Sequence, residues 1–339
     1  MKLGTLKDDS RDGALIVVSK DLKVAVLAYD VAPTLQSALD DWDYLAPHLQ
    51  QIYEDLNRSA GPRAFELDPR RLAAPLPRAY QWLDASAYLP HVELLRKARG
   101  AAMPEDAKKI PLMYQGDSDD FIGPCDPIDA DEAWGIDLEA EVAVFLGDVP
   151  LGVKPVDAGE HILLLALAND VSLRNLIPAE LARGFGFVHG KGATAFSPVA
   201  VTPDELGDAW NGRRLARPVS VRVNERSLGT PDSGIDMQFD FPHLIAHAAR
   251  TRRLGAGTVL GSGTISNHGH RDGCACLAEI QALETLSNGK PETPWLKPGD
   301  RVRIEMFDAP GESIFGAIDQ QVRQCPPAHP PRPVQECRE

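Results

Sequence analysis

The chain has 339 residues, of which 43 % are hydrophobic and 25 % charged, as in a globular protein with a substantial core. Its net charge of −14 argues against a nucleic-acid partner and against docking on anionic lipid, because both need clustered Lys and Arg. The longest apolar run, residues 162–168, is too short to cross a bilayer, and no secretory signal follows Met1. The odd number of cysteines, five, favours a reducing compartment, so we expect a cytoplasmic protein.

The first 75 residues are predicted to form a small α+β domain. Residues 14–19 and 23–28 are typical of two short strands joined by a turn. From residue 33 to residue 59 apolar side chains recur every three or four positions, which predicts an amphipathic helix that ends before Gly61. Prolines and basic residues at 69–77 indicate a loop.

From residue 79 onward the pattern changes to short strands and turns. A mixed loop-and-helix stretch at 170–183 and a clearer helix at 241–253 interrupt them. The strand candidates are 140–146, 162–168, 199–202, 219–224, 258–261 and 301–307. Such spacing favours a rolled or sandwich-like β architecture, so the fold class is mainly β (α+β). We expect a catalytic domain at 76–322 and a Pro-rich disordered tail at 323–339.

One group of cysteines and histidines resembles a metal site only weakly. Cys274 and Cys276 lie close together, and His268 and His270 precede them. No second Cys or His pair stands at zinc-finger spacing, so free thiols are favoured over zinc.

The most informative stretch, residues 136–147, is predicted to be a strand in which Glu139 and Glu141 project from one face. Two such carboxylates repel each other unless they are protonated or bridged by a cation. Asp170 closes the next predicted strand, where it could complete a pocket. All-oxygen ligation selects Mg²⁺, Ca²⁺ or Mn²⁺ over zinc. A solvated acidic strand end, with Asp170 as a helix cap, is the alternative.

A series of motifs in fixed order carries a family resemblance. The motifs are Asp-Leu-Glu-Ala-Glu-Val-Ala-Val at 137–144, Asn-Asp-Val-Ser-Leu-Arg at 169–174, Gly190-Lys191, Phe-Ser-Pro-Val at 196–199 and Gly-Ser-Gly-Thr-Ile-Ser at 261–266. From about residue 80 to residue 322 the series resembles the fumarylacetoacetate hydrolase family. The resemblance implies a rolled β-sandwich domain behind the small N-terminal domain, a homodimer, and a bound Mg²⁺ or Ca²⁺, with Mn²⁺ as an alternative. Its ligands would be Glu139, Glu141 and Asp170.

Two further residues match the fumarylacetoacetases within that family. These enzymes add a fourth acidic ligand and, seven residues later, a catalytic His, which Asp84 and His91 match. Glu279 resembles the carboxylate that orients this His, with a strand-surface carboxylate as the alternative. The resemblance implies that His91 deprotonates the water that attacks the substrate.

The resemblance also names the groups that stabilise the oxyanion. Arg174 and Lys191 match two of these positions, but the third, a Gln in the family, is Ile177 here. Gln115 is a candidate to replace it.

Tyr114 and Thr264 resemble residues that contact the substrate, whereas Asp117 stands where the family usually carries a basic residue. We therefore expect a hydrolase that cleaves the C–C bond of a β-diketo acid such as fumarylacetoacetate, in the catabolism of tyrosine or other aromatic compounds. The alternatives are a 2-keto-4-pentenoate-type hydratase, an isomerase or a 2-oxoacid decarboxylase on the same fold, or a non-catalytic protein that binds a metal or a small molecule.

Overall fold

The computed structural model describes residues 1–308 and 311–325. Its strands are β1 Lys2–Leu6, β2 Ala14–Val18, β3 Val24–Leu27, β4 Phe65–Glu66, β5 Trp82–Ala85, β6 Met113–Gly116, β7 Ile128–Ala130, β8 Ile136–Asp137, β9 Ala140–Leu146, β10 Ile162–Asn169, β11 Ser172–Leu173, β12 Ala195–Phe196, β13 Ala200–Val201, β14 Val219–Val223, β15 Arg226–Gly229, β16 Val259–Gly261, β17 Arg301–Met306 and β18 Ile318–Gln324. Its α-helices are α1 Leu35–Asp40, α2 Trp42–Arg58, α3 Leu89–Ala98, α4 Pro155–Ala158, α5 Ile177–Leu181, α6 Phe241–Ala248 and α7 Leu277–Asn288.

The N-terminal residues form the predicted hairpin, β2 and β3, but the predicted single helix is divided. Thr34 caps α1 by accepting a hydrogen bond from the Ser37 amide, and the chain leaves helical geometry at Asp41 before α2 begins. The apolar spacing continues across Asp41, so periodicity alone could not locate the break.

One large sheet joins the N-terminal strands to the rest of the chain. Its order is β4-β3-β2-β1-β13-β10-β9-β16-β5-β6, and β12 also pairs with β10. A second sheet has the order β15-β14-β17-β18-β7, and β8 pairs with β11. All seven residues of β9 are buried, as expected for a central strand covered on both faces. The mixed α+β class predicted from the sequence is confirmed.

The sequence did not predict helices α3 and α7, which pack against each other. Pro90 lies in the first turn of α3, where the missing N–H costs no helical hydrogen bond. Gly289 ends α7 in the left-handed conformation, with φ of 80°. The strand-surface alternative for Glu279 is therefore wrong, because Glu279 lies in the first turn of α7.

The last strand extends past the predicted start of the tail. Arg323 and Gln324 belong to β18 and pair with β7. Residues 326–339, the rest of the predicted disordered tail, lie outside the described residues. Within the described part of the chain, no helix is both long and apolar enough to span a membrane.

Candidate active site

Three of the predicted ligands meet on adjacent strands of the large sheet. Asp84 lies in β5, Glu141 in β9, and Asp170 directly after β10. Because β10, β9, β16 and β5 are consecutive in the sheet, their side chains converge. One carboxylate oxygen from each residue lies within 4.8 Å of the other two, and the residues are 5 %, 0 % and 0 % exposed. The structure thus brings together carboxylates that are far apart in the sequence: Asp84 and Asp170 are separated by 86 positions.

Glycines of the Gly-Ser-Gly motif make room for this cluster. Gly261, in β16, lies between Asp84 and Glu141, and a Cβ there would be 2.5 Å from Asp84 Oδ1 and 2.8 Å from Glu141 Oε2. Gly263 has φ of 77°, which favours glycine, and its N–H donates a hydrogen bond of 3.2 Å to Asp84 Oδ1. Gly261 is therefore required by the space that the carboxylates occupy, and Gly263 by its backbone conformation.

The electrostatics of the cluster fit a hard divalent cation. Among the described residues, neither carboxylate oxygen of Glu141 has a hydrogen-bond partner. Burial and then the charge of Asp170 raise the pKa of Asp84, and burial and then the charge of Asp84 raise the pKa of Glu141. Leaving such a group buried and unpaired costs about 1–3 kcal/mol or more. An all-oxygen set of three buried carboxylates is the donor set that Mg²⁺, Ca²⁺ and Mn²⁺ prefer.

Glu139, the remaining predicted ligand, pairs with two positively charged side chains. Its Oε1 accepts a hydrogen bond of 2.5 Å from Arg174 Nη2, and its Oε2 accepts one of 2.6 Å from Lys191 Nζ. Burial opposes ionisation, but the charges of Lys191 and then Arg174 outweigh it and lower the pKa of Glu139. Glu139 therefore lies at the edge of the cluster, ionised and paired with two cations. Its role as a ligand stays a prediction.

Lys191 connects Glu139 to Asp170. Its Nζ lies 2.6 Å from Asp170 Oδ2 and 2.8 Å from Ser172 Oγ. Burial would lower the pKa of Lys191, but the charges of Asp170 and then Glu139 outweigh it, so the pKa is raised. The Tyr114 hydroxyl also donates to Asp170 Oδ2, at 2.7 Å. Lys191 therefore carries a buried positive charge beside the cluster.

Asp137 holds Arg174 and the start of α7 together. Its Oδ2 accepts hydrogen bonds from Arg174 Nε at 2.9 Å and from the Ala278 amide at 3.1 Å, and its Oδ1 accepts from the Leu277 amide at 2.8 Å. It thus caps α7, whose own N-cap position supplies no side-chain hydrogen bond. Sequence reasoning did not single out Asp137. The strand predicted at 136–147 is divided into β8, which contains Asp137, and β9, and Glu139 lies between the two.

The predicted base and its predicted orienting carboxylate are in contact. His91, on α3, has its Nδ1 3.0 Å from Glu279 Oε1 on α7. The Glu279 side chain is 0 % exposed and that of His91 13 %. Burial would raise the pKa of Glu279, but the hydrogen bond and charge of His91 outweigh it and lower the pKa. A carboxylate at Nδ1 favours the tautomer with its proton there, which leaves Nε2 as the basic nitrogen.

One cavity of about 200 Å³ is lined by Asp84, His91, Tyr114, Glu139, Arg174 and Lys191. Thr264 and Ile177 also line it, so the position of the missing Gln is apolar, and contact of Thr264 with the substrate stays a prediction. The structure does not bring Gln115 to the cavity. It follows Tyr114 in β6, so its side chain points to the opposite face of the strand and is exposed. Arg99, which sequence reasoning missed, lies at the mouth of the cavity at the end of α3.

Comparison with known proteins identifies the relatives of this chain. Residues 81–323 match the family model described as fumarylacetoacetate (FAA) hydrolase C-terminal, and residues 1–78 match fumarylacetoacetase N-terminal domain 2. The oxaloacetate tautomerase YisK of Bacillus subtilis is 24 % identical over 85 % of this chain and 95 % of its own length. The mitochondrial oxaloacetate tautomerase fahd2 of Xenopus laevis is 29 % identical over 53 % of this chain and 58 % of its own length. The fumarylacetoacetase of Arabidopsis thaliana is 26 % identical over 74 % of this chain. The matched region spans 62 % of the Arabidopsis protein and 58 % of the Xenopus protein, less than two thirds of either length.

Solved structures share the fold over nearly the whole chain. The maleylpyruvate hydrolase of Sphingobium sp. SYK-6, in complex with manganese(II) and pyruvate, gives a TM-score of 0.64 at 16 % identity, over 96 % of this chain and 100 % of that chain. The fumarylacetoacetate hydrolase of Exiguobacterium antarcticum gives 0.62 at 18 % identity, over 96 % and 99 %. The resemblance predicted from the motif series is thus confirmed. The chain belongs to the fumarylacetoacetate hydrolase family, which includes hydrolases, isomerases and oxaloacetate tautomerases.

Proposed function

We propose that the protein is a metal-dependent hydrolase that cleaves the C–C bond of a β-diketo acid, a class that includes fumarylacetoacetate. The observation that carries this proposal is the contact of 3.0 Å between buried Glu279 and His91, which lines the cavity together with Asp84, Glu139 and Lys191. C–C hydrolysis needs a base that activates water beside a polarised carbonyl, and this cavity has the residues for both tasks.

Each residue has a task in the proposed reaction. Asp84, Glu141 and Asp170, with Glu139 at their edge, would hold a divalent cation, which supplies Lewis-acid polarisation of the diketone oxygens. His91 Nε2 takes a proton from the attacking water while Glu279 stabilises the imidazolium that forms. His91 then returns that proton to the carbon of the leaving enolate, which completes the cleavage.

The cations beside the cluster support the charge that develops on the substrate. Lys191 and Arg174 are held in place by Glu139, and Arg174 also by Asp137. Preorganised donors of this kind need no rearrangement during the reaction, and loss of one typically costs about 2.7–4 kcal/mol of transition-state stabilisation.

The cavity walls support an anionic substrate with an apolar part. Arg96 and Arg99 line the cavity together with the apolar side chains of Val92, Leu95 and Phe187. We infer that Arg99 takes the place of the basic residue missing at Asp117 and binds the distal carboxylate of a diketo acid.

Oxaloacetate tautomerisation is the second candidate, favoured by the names of the Bacillus and Xenopus relatives. It would use the same cation site and would need His91 only to move a proton between carbon and oxygen. The remaining alternatives are hydration, isomerisation or decarboxylation of a 2-oxo acid, and a non-catalytic binding role. The homodimer and the role in aromatic catabolism remain predictions.

The test follows both the diketone absorbance and the products by NMR, with acylpyruvates and oxaloacetate as parallel substrates. We expect loss of the absorbance with formation of two carboxylic acids, and no turnover after chelation. Interconversion of keto and enol forms without new acids would favour the tautomerase instead. Cleavage that survives exhaustive metal removal would refute the proposal.

A further inference from the structure

A second cluster of metal-binding side chains lies behind the His91–Glu279 pair. A ring nitrogen of His270, the Cys274 sulfur and a Glu279 carboxylate oxygen all lie within 4.8 Å of one another. Cys274 is 3 % exposed and Glu279 0 %. None of these atoms belongs to the all-oxygen cluster of Asp84, Glu141 and Asp170. The two clusters therefore differ in chemistry as well as in position.

Two atoms of this cluster lack partners in a buried place. Within residues 1–308 and 311–325, neither His270 Nδ1 nor Glu279 Oε2 makes a hydrogen bond. Buried polar atoms are almost always paired, so two such atoms on residues that surround one thiol point to a missing ligand. His270 also has φ of 48°, a left-handed conformation that is uncommon for a residue other than glycine.

Hydrogen bonds to neighbouring elements fix the positions of the proposed ligands Cys274 and Glu279. The Cys274 amide donates to the Leu228 carbonyl at 3.1 Å, which ties the segment to β15. Glu279 lies in the first turn of α7, which Asp137 caps. Metal sites need such preorganised supports for their ligands.

A competing set, His91, Cys276 and Glu279, also lies within 4.8 Å. In that set His91 Nδ1 and Glu279 Oε1 already bond to each other, at 3.0 Å, and His91 Nε2 is the nitrogen assigned to the base. The free oxygen, Oε2, remains for His270 and Cys274. This difference favours the first set.

We propose that His270, Cys274 and Glu279 bind a thiophilic divalent cation, Zn²⁺, separate from the hard cation of the carboxylate cluster. Zinc prefers mixed sulfur, nitrogen and oxygen ligands, and three protein ligands leave one position for water. Binding releases the thiol proton of Cys274. The bound cation draws charge from the carboxylate that orients His91, so zinc inhibits turnover. This inhibition rests on the proposed function, whereas the binding does not.

The test uses Co²⁺ as a spectroscopic substitute for zinc on the full chain, stripped of metal and then supplied with excess Mg²⁺. Thiolate-to-cobalt charge-transfer absorbance reports sulfur ligation only, so a cation at the all-oxygen cluster is silent. We expect one thiolate-bound cobalt per chain, displaced by Zn²⁺. Cys274→Ser should abolish the band, and His270→Asn should weaken binding by about a hundredfold or more, because even changes outside the ligand set cost about 10–100-fold.

Two controls keep the result interpretable. Cys276→Ser, an equally buried thiol two residues away, should retain the band, and so should Glu141→Gln, which removes only the hard-cation site. Circular dichroism checks that each variant is folded. Absence of the band in the unmodified protein, or an unchanged band in folded Cys274→Ser, would overturn the zinc site. Loss in Cys276→Ser alone would overturn it as well.

Discussion

Replacing Glu141 by Gln tests the carboxylate cluster through stability rather than activity. Glu141 is fully buried, neither of its oxygens is paired within the described residues, and burial followed by the charge of Asp84 raises its pKa. A raised folded pKa means that the ionised carboxylate costs stability above the unfolded pKa, so at neutral pH it destabilises the metal-free protein. Gln carries no charge and can donate to Asp84. In EDTA, Glu141→Gln should therefore be at least as stable as the unmodified protein.

In Mg²⁺ the unmodified protein should instead be more stable than Glu141→Gln. A ligand at 100 times its Kd adds about 2.7 kcal/mol to the free energy of unfolding. If the variant binds Mg²⁺ a hundredfold more weakly, the same concentration adds only about 0.4 kcal/mol. The increment due to Mg²⁺ should therefore shrink by about 2.3 kcal/mol.

The assay is urea unfolding of both proteins in EDTA and in Mg²⁺. Glu305→Gln is the matched control, because Glu305 is also a buried strand glutamate, 8 % exposed, but pairs with Arg303 away from the cluster. That variant should lose stability equally in both conditions and keep the full increment. An increment in Glu141→Gln equal to that of the unmodified protein would refute the reasoning.

Three further predictions follow from the site. His91→Gln should lower kcat by about 10²–10⁴-fold while the Mg²⁺ increment stays unchanged, and unchanged turnover would exclude His91 as the base. Arg99→Gln should raise KM for a dicarboxylate more than for a monocarboxylate analogue, and equal effects on both would contradict a distal carboxylate contact. Because the pKa values of Asp84 and Glu141 are raised, protons compete with the cation, so Mg²⁺ affinity should fall as pH falls and binding should release protons. Calorimetry in two buffers of different ionisation enthalpy measures that release, and none would count against ligation by these carboxylates.

Part of the candidate site could be predicted from local sequence patterns, namely strand alternation and motif spacing. Alternation predicted Glu139 and Glu141 on one face, the end of the next predicted strand added Asp170, and the family resemblance added Asp84. The structure brings Asp84, Glu141 and Asp170 together, whereas Glu139 lies between β8 and β9. Asp84 and His91 line the same cavity because β5 leads into α3 within a few residues, and their roles as ligand and base stay predictions.

Other features depend on contacts that no local pattern encodes. Asp137 caps a helix that begins 140 residues later in the chain, so its role follows only from the fold. Gln115 was chosen for its chemistry, but strand alternation turns it away from the cavity that Tyr114 enters. The pairing of Glu139 with Arg174 and Lys191 likewise emerges only in three dimensions.

The most direct test of the hard-cation site is anomalous scattering from crystals of the full chain soaked in Mn²⁺. We predict an anomalous peak about 2.0–2.6 Å from carboxylate oxygens of Asp84, Glu141 and Asp170. The absence of a peak between these three carboxylates, in crystals where Mn²⁺ binds elsewhere, would contradict the account.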